Sequence, residues 1–341
     1  MTCDFALALT FLDTLSRVGL AERLRAHDPE LLDLASPLVG RACQAREDAV
    51  TRGIQFVPWH SVGYPAALLH LTDMPPGLWY RGRLDCLDSP YTVAIVGSRA
   101  GSRVAIETAE QLARGLASRG VIVVSGLARG VDSAAHRGAL AGGGITVAVL
   151  GSGHLRLYPA EHRDLATEIE QRGLVVSEYP PEMPALPHHF PLRNRIISGL
   201  SRAVVVIEAA EQSGSLITAA CALEQGKDVM AVPGNVLTGR NRGGHALIRD
   251  GAKIVESADD IVEELGWTGA VQVPSRQLSN EESAASGDGL LERMQAGVAY
   301  DVDELGALAG LDAMGLLTRL TAFELRGRVK RIEGGRFVRT S

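Results

Sequence analysis

The feature of this chain that most constrains its fold is an alternation. Between residues 91 and 266 seven short β-rich runs, YTVAIVG, VIVVSG, ITVAVLG, LVVSEY, AVVVIEA, DVMAVPG and AKIV, are separated by helix-length segments such as RVAIETAEQLARGLASRG. A strand wetted on one face alternates apolar and polar residues, whereas a strand covered on both faces is apolar throughout. These runs therefore predict a doubly wound α/β core, a parallel sheet with helices on both sides.

The flanks read differently. Residues 1–60 carry helix-like spacing, as in LTFLDTLSRVGLAERL, and predict a small helical domain. FVPWHSVGYPAALLHLTDMPPGLWYRG is punctuated by prolines and reads as connecting chain that leads into a core over residues 61–266. Residues 267–288 are polar, small and acidic, a linker composition. In residues 289–341 helix, turn, helix and the hairpin VKRI-EGG-RFVR follow in the order of a winged helix, an order equally suited to a dimerisation or protein-docking module. No basic segment precedes the apolar N-terminal stretch and no apolar run is long enough to span a bilayer, so neither a signal peptide nor a membrane partner is expected. Four scattered cysteines without C-x-x-C argue against a disulfide framework or a cysteine zinc site and fit a reducing cytoplasm.

Net charge is −6, but residues 91–255 hold 17 basic and 14 acidic residues, so attraction for an anion would be local. In open parallel sheets ligands bind beyond the carboxyl ends of the strands. Three small-residue stretches there precede helices and offer backbone N–H groups to an anion: Gly97-Ser98-Arg99, the stretch from Ser125 through Gly126 to Arg129 and Gly130, and Ser213-Gly214-Ser215. A simple helix cap explains each alone. HFPLRNRII adds Phe190, Arg193, Asn194 and Arg195. Guanidinium forks need a carboxylate or phosphate partner. Residues two apart on a helix diverge by about 200°, so Arg193 and Arg195 cannot share one phosphate; Arg193 is expected to face the ligand, and Arg195 to brace the fold against an acid such as Glu178 or Glu208. GSRAGSR is not G-x-G-x-x-G, G-x-x-x-x-G-K-[ST] is absent, and no G-x-S-x-G elbow exists, so no catalytic residue, cofactor or metal is assigned. Asp132 and His136 are four apart and able to pair, but capping by the first and a structural role for the second is the favoured account. His188 and His189 lack a third ligand and read as an anion contact or turn.

Together GSR (97–99), SGLARGVDSAAHRGAL (125–140), GSGHLRLYP (151–159), SEYPP (177–181), HFPLRNRIISGLSRAVVVIEA (189–209), SGSLITAACALEQGKDVMAVPGN (213–235) and GGHALIRDGA (243–252) closely resemble the DprA/Smf family of DNA-processing proteins, in order across about half the chain. The resemblance implies an extended Rossmann-like fold that binds single-stranded DNA without known catalysis, dimerises, and helps load the recombinase RecA in natural transformation. It implies that Arg99, Arg129, Arg193 and Arg195 line a cleft for the DNA backbone, that Ser98, Gly126, Ser213, Gly214 and Ser215 make close contacts, and that Phe190 stacks on bases. Two positions depart from the family pattern: Leu155 stands where an aspartate is usual, and His162 where an asparagine is common. The competing reading is a Rossmann-like nucleotide-binding or phosphoribohydrolase-type enzyme, but EQSGSLITAA lacks the glutamate of its P-G-G-x-G-T-x-x-E motif. A pure protein adaptor is the third.

Overall fold

The computed structural model describes residues 3–12, 14–268, 294, 298–301, 304, 305, 316, 320, 323, 329–332 and 336–339. The chain divides into two compact units, Met1–Pro274 and Ser275–Ser341.

The larger unit begins with helices α1 (Cys3–Leu9), α2 (Arg17–Arg25), α3 (Glu30–Ala35) and α4 (Val39–Val50). Strand β1 (Gln55–Pro58), the short helix α5 (Ala66–Leu69) and strand β2 (Gly77–Gly82) follow. Then strands and helices alternate: β3 (Thr92–Val96), α6 (Arg103–Ala117), β4 (Ile122–Ser125), α7 (Val131–Ala141), β5 (Thr146–Leu150), α8 (Arg163–Arg172) and β6 (Leu174–Ser177). The second half is α9 (His189–Gly199), β7 (Ala203–Val206), α10 (Gly214–Glu224), β8 (Asp228–Ala231), α11 (Arg242–Arg249), β9 (Lys253–Ile254) and α12 (Ala258–Glu264). The sheet runs β1-β2-β6-β5-β4-β3-β7-β8-β9, parallel from β6 to β9.

All seven apolar runs are strands, and the reason is visible in β3. Val93 and Ile95 point into the layer of α6, α7 and α12, while Ala94 and Val96 point into the opposite core. Both pleat faces are dry, so these four positions are apolar. Ser102 and Ser213 cap α6 and α10, and Ser257 with Asp260 forms a capping box on α12.

Two expectations change. The proline-punctuated lead-in is not merely connecting: β1 and β2 pair antiparallel, and β2 adds antiparallel to β6. Pro58 is tolerated because β1 lies on the sheet edge, where a missing N–H breaks no ladder. Nor do the first helices stand apart, because Leu7, Leu9, Leu24 and Leu31 share one buried core with Leu68, Trp79 and the sheet residues Val147 and Val176. The proposed linker also begins too early. Trp267 is buried, its ring 5.2 Å from that of Tyr91, and residues 269–288 lie outside the described residues.

In the smaller unit β10 (Ala299–Tyr300), β11 (Val329–Ile332) and β12 (Arg336–Arg339) form a sheet in the order β10-β12-β11. The expected hairpin is β11 paired antiparallel with β12. The helix-turn-helix expected before it falls largely outside the described residues.

Helices α6 and α7 touch at a glycine. A Cβ on Gly138 would lie 2.3 Å from the Glu110 carbonyl oxygen, which is backbone that cannot swing away. Gly138→Ala gains about 1 kcal/mol of helix propensity but forces the helices apart. A net loss of about 1–3 kcal/mol is expected from the denaturant midpoint, and a stabilised variant would refute this close approach.

Candidate functional site

Strand β3 lies between β4 and β7, so the chain leaves its carboxyl end in one direction and leaves the end of β7 in the other. A crevice must open there. The structure has an open cleft of about 790 Å³ at this point, lined by Gly97, Ser98, Arg99, Ala128, Tyr158, Phe190, Arg193, Asn194 and the stretch Ser213-Gly214-Ser215.

Arg99 is exposed, its guanidinium carbon 5.0 Å from the centre of the Phe190 ring. Phe190 is half-buried at the start of α9, tilted against Tyr158 with ring centres 5.5 Å apart. A cation over an aromatic face and a second ring beside it make a platform for a flat, anion-bearing ligand. Arg129 is not among the lining residues. It is exposed and pairs in a fork with Glu161, Nε to Oε1 at 2.5 Å and Nη2 to Oε2 at 2.9 Å. A ligand phosphate would have to replace that carboxylate.

Arg193, expected to face the ligand directly, is only 4% exposed. Its Nη1 donates to the carbonyls of Gly126 and Val149, and its Nη2 lies 3.8 Å from Asp132. Burial pulls its pKa down to about 10, against the pull of Asp132, so the group stays charged at neutral pH beneath the cleft floor. Gly126 is buried with it and offers no close contact to a ligand. A Cβ there would sit 2.2 Å from the guanidinium, so the glycine makes room for the arginine.

Arg195 does not line the cleft. It points the other way and binds Asp73 and Glu178, the latter at 2.6 Å. Glu178 also receives Arg17 from α2, which donates to the Tyr179 hydroxyl at 3.0 Å as well. Tyr179 stacks on His189, ring centres 3.9 Å apart. Asn194 donates to the Gly214 carbonyl at 3.2 Å and steadies the start of α10. Sequence reasoning passed over Tyr158 because it sits in a loop without a phosphate motif, and over Arg17 because it lies in another segment.

The three expected anion sites are unequal. At α6, Glu208 accepts from the Ser102 N–H at 3.0 Å and its hydroxyl at 2.6 Å, so an internal carboxylate already occupies the helix start. At α7, Asp132 accepts from the Ala128 N–H at 3.3 Å; burial pushes its carboxyl pKa up, partly offset by Arg193. Only α10 meets the cleft without an acid of its own, Ser213 and Ser215 sharing a hydroxyl hydrogen bond of 2.7 Å. Asp132 and His136 take separate partners. His136 donates from Nδ1 to Thr146 at 2.7 Å, and burial lowers its pKa to about 3. Among the described residues no three metal-ligating side chains converge, and no helix is long and apolar enough to cross a membrane.

The family model of DNA recombination-mediator protein A matches residues 55–266, and the winged helix domain model of the same family matches residues 274–335. Protein Smf of Escherichia coli is 41% identical over 285 residues, 82% of this chain and 76% of its own length. The chain belongs to the DprA family. DNA processing protein DprA of Streptococcus pneumoniae is 47% identical over 201 residues, 59% of this chain and 71% of its own. A solved structure of the S. pneumoniae protein superposes with a TM-score of 0.68 at 35% identity, covering 77% of this chain and 98% of that one. A DprA structure from Helicobacter pylori, described as showing a single-stranded DNA binding mode, gives a TM-score of 0.57 at 29% identity over 63% of this chain and 97% of that one.

Both departures from the DprA pattern have visible contacts. Leu155 packs against the main core and its N–H donates to the Pro181 carbonyl at 2.9 Å. His162 is buried and its Nδ1 donates to the Leu127 carbonyl at 2.9 Å, a donor function an asparagine amide also supplies.

The Glu178 cluster gives a pH test. Burial alone would raise the Glu178 pKa, but Arg195 and Arg17 outweigh it and the net shift is downward from 4.5. A carboxylate lowered by folding contributes stability above its unfolded pKa and loses it as pH falls through the folded value. Glu178→Gln should therefore cost stability at neutral pH, by roughly 3–5 kcal/mol for a broken buried pair. The gap to the parent protein should narrow only below about pH 4.5, as read by chemical denaturation across pH. A constant gap down to pH 3 would refute the assignment.

Proposed function

We propose that this chain binds single-stranded DNA in the cleft between the ends of β3 and β7, protects the incoming strand and helps load RecA recombinase onto it, acting as a cytoplasmic homodimer without catalysis of its own. The observation that carries the reading is the Arg99–Phe190–Tyr158 platform beside the open start of α10. An unpaired strand can lay a base on the ring and a phosphate against Arg99 and the α10 N–H groups, whereas a duplex keeps its base faces stacked away. Family membership and the H. pylori relative's single-stranded DNA binding mode support this use of the cleft.

The rival hydrolase reading needs a general base at the sheet edge. Glu208 is held by Ser102, and Asp132, although it lines the cleft, accepts from Ala128 and lies beside Arg193, so both carboxylates are already engaged within the protein. That commitment of both acids favours binding over turnover.

Anisotropy titrations of labelled oligothymidylate and matched duplex at several salt concentrations test the proposal. Single strand should bind more tightly. Arg99→Ala should reduce the salt slope by about 0.7, the loss of one phosphate contact. Phe190→Ala should cost about 1–3 kcal/mol of affinity at an unchanged slope. Equal affinity for duplex, or two variants that bind normally, would remove the cleft as the site. Ribose 5-phosphate release above contaminant level would establish the hydrolase instead.

A further inference from the structure

Beside the main cleft lies a second, shallower groove of about 520 Å³, walled by Glu211, Gln212, Thr238, Arg240 and Arg242. It shares Ala210 and Gln212 with the cleft, so the two adjoin. Arg240 Nη1 donates to the Ala100 carbonyl at 3.2 Å and thereby ties this rim to the loop that carries Arg99. Arg242 is largely exposed and faces Glu211 at 3.9 Å, both side chains about two-thirds open to water. Such a loose exposed pair contributes almost nothing and is readily exchanged for a phosphate. Arg242 is also the first residue of α11, where the helix dipole disfavours a cation, so helix stability does not explain it. Val236 and Leu237, which immediately precede Thr238 in the chain, are 74% and 91% exposed, an aliphatic pair open to solvent.

We infer that the groove of Arg240 and Arg242 is a second phosphate subsite, along which the single strand continues out of the main cleft, with Val236 and Leu237 offering dry contact to its splayed bases. The inference rests on the single-strand reading above. Its occupant is nucleic acid because two arginines face one glutamate in the groove and it adjoins the cleft at Ala210 and Gln212, where an extended strand leaving the start of α10 would enter it.

Oligothymidylates from about 4 to about 16 nucleotides, the range of site sizes for single-strand grooves, are titrated against the parent protein, Arg242→Ala, Arg242→Glu and Arg240→Ala. In the parent protein affinity should rise with length and then level off. The Arg242 variants should level off at shorter lengths and bind the shortest oligomer as the parent does, and on the longest oligomer Arg242→Ala and Arg240→Ala should each lower the salt slope by about 0.7. Arg242→Glu is the decisive arm because Arg242 is not among the residues that line the main cleft and its ion-pair partner, Glu211, is not either, and an unchanged melting temperature confirms folding. Parent-like binding of long oligomers by Arg242→Glu, an equal proportional loss on short and long oligomers, or no length dependence in the parent protein would overturn the subsite. Failure of the main reading is separable: it shows as Arg99→Ala binding the shortest oligomer normally, whatever Arg242 does.

Discussion

The geometry of the cleft hangs on the buried guanidinium of Arg193. Parallel strands end in carbonyls that the ladder no longer satisfies, and those left inside the protein need a donor. From α9, Arg193 reaches under the sheet edge and donates to Gly126 just beyond β4 and to Val149 in β5. One side chain thus fixes where two neighbouring strand ends stop. A lysine has the charge without the planar fork and would not meet both carbonyls in the same way. Burying a cation is costly, as the lowered pKa records, and Asp132 at 3.8 Å offsets that cost only in part. The gain is positional. Phe190 lies three residues earlier on the same helix face, its ring centre 5.8 Å from the Arg193 guanidinium carbon, so fixing the arginine also sets the ring.

The opposite face of α9 is fixed by a different arginine. Because residues two apart on a helix diverge, Arg193 serves the sheet edge while Arg195 serves the layer that holds the first helices. Arg195 reaches Asp73 in the lead-in and Glu178 after β6, and Glu178 extends the chain of contacts to Arg17 in α2. Arg17 in turn holds Tyr179, on which His189 stacks one residue before Phe190. The N-terminal helices are therefore part of the scaffold that aims the platform, which explains why they share a core with the sheet.

The sheet was legible because strands buried on both faces, as β3 to β7 are, cannot hide their composition, and each apolar run became a strand. Strands β1 and β2 were not. Their register pairs Phe56 with Trp79 across an edge, a tertiary fact that short strings in a proline-punctuated stretch do not announce. The arginines were legible as cations in need of anions, and helix geometry separated the two. What local sequence did not carry was depth: nothing near Arg193 says that carbonyls 44 and 67 residues away would enclose it. Gly126 was misread for the same reason, since a glycine that makes room for a side chain and one that admits a ligand look alike in sequence.

Depth also decides which of three similar helix starts can attract an anion. A helix N-terminus carries about half a positive charge, and a carboxylate placed there cancels it before any ligand arrives. Glu208 does so at α6 through two hydrogen bonds, and Asp132 stands at the start of α7, between the Ala128 N–H and Arg193. The Arg129 guanidinium is likewise matched by Glu161. What remains uncompensated at the cleft is Arg99 together with the start of α10. In the proposed binding mode, a chain with a net charge of −6 meets a polyanion locally, without a broad basic surface. Internal acids neutralise two of the three helix starts compared at the strand ends, and the one left open, at α10, is the one that stands in the cleft with Arg99 and the aromatic pair.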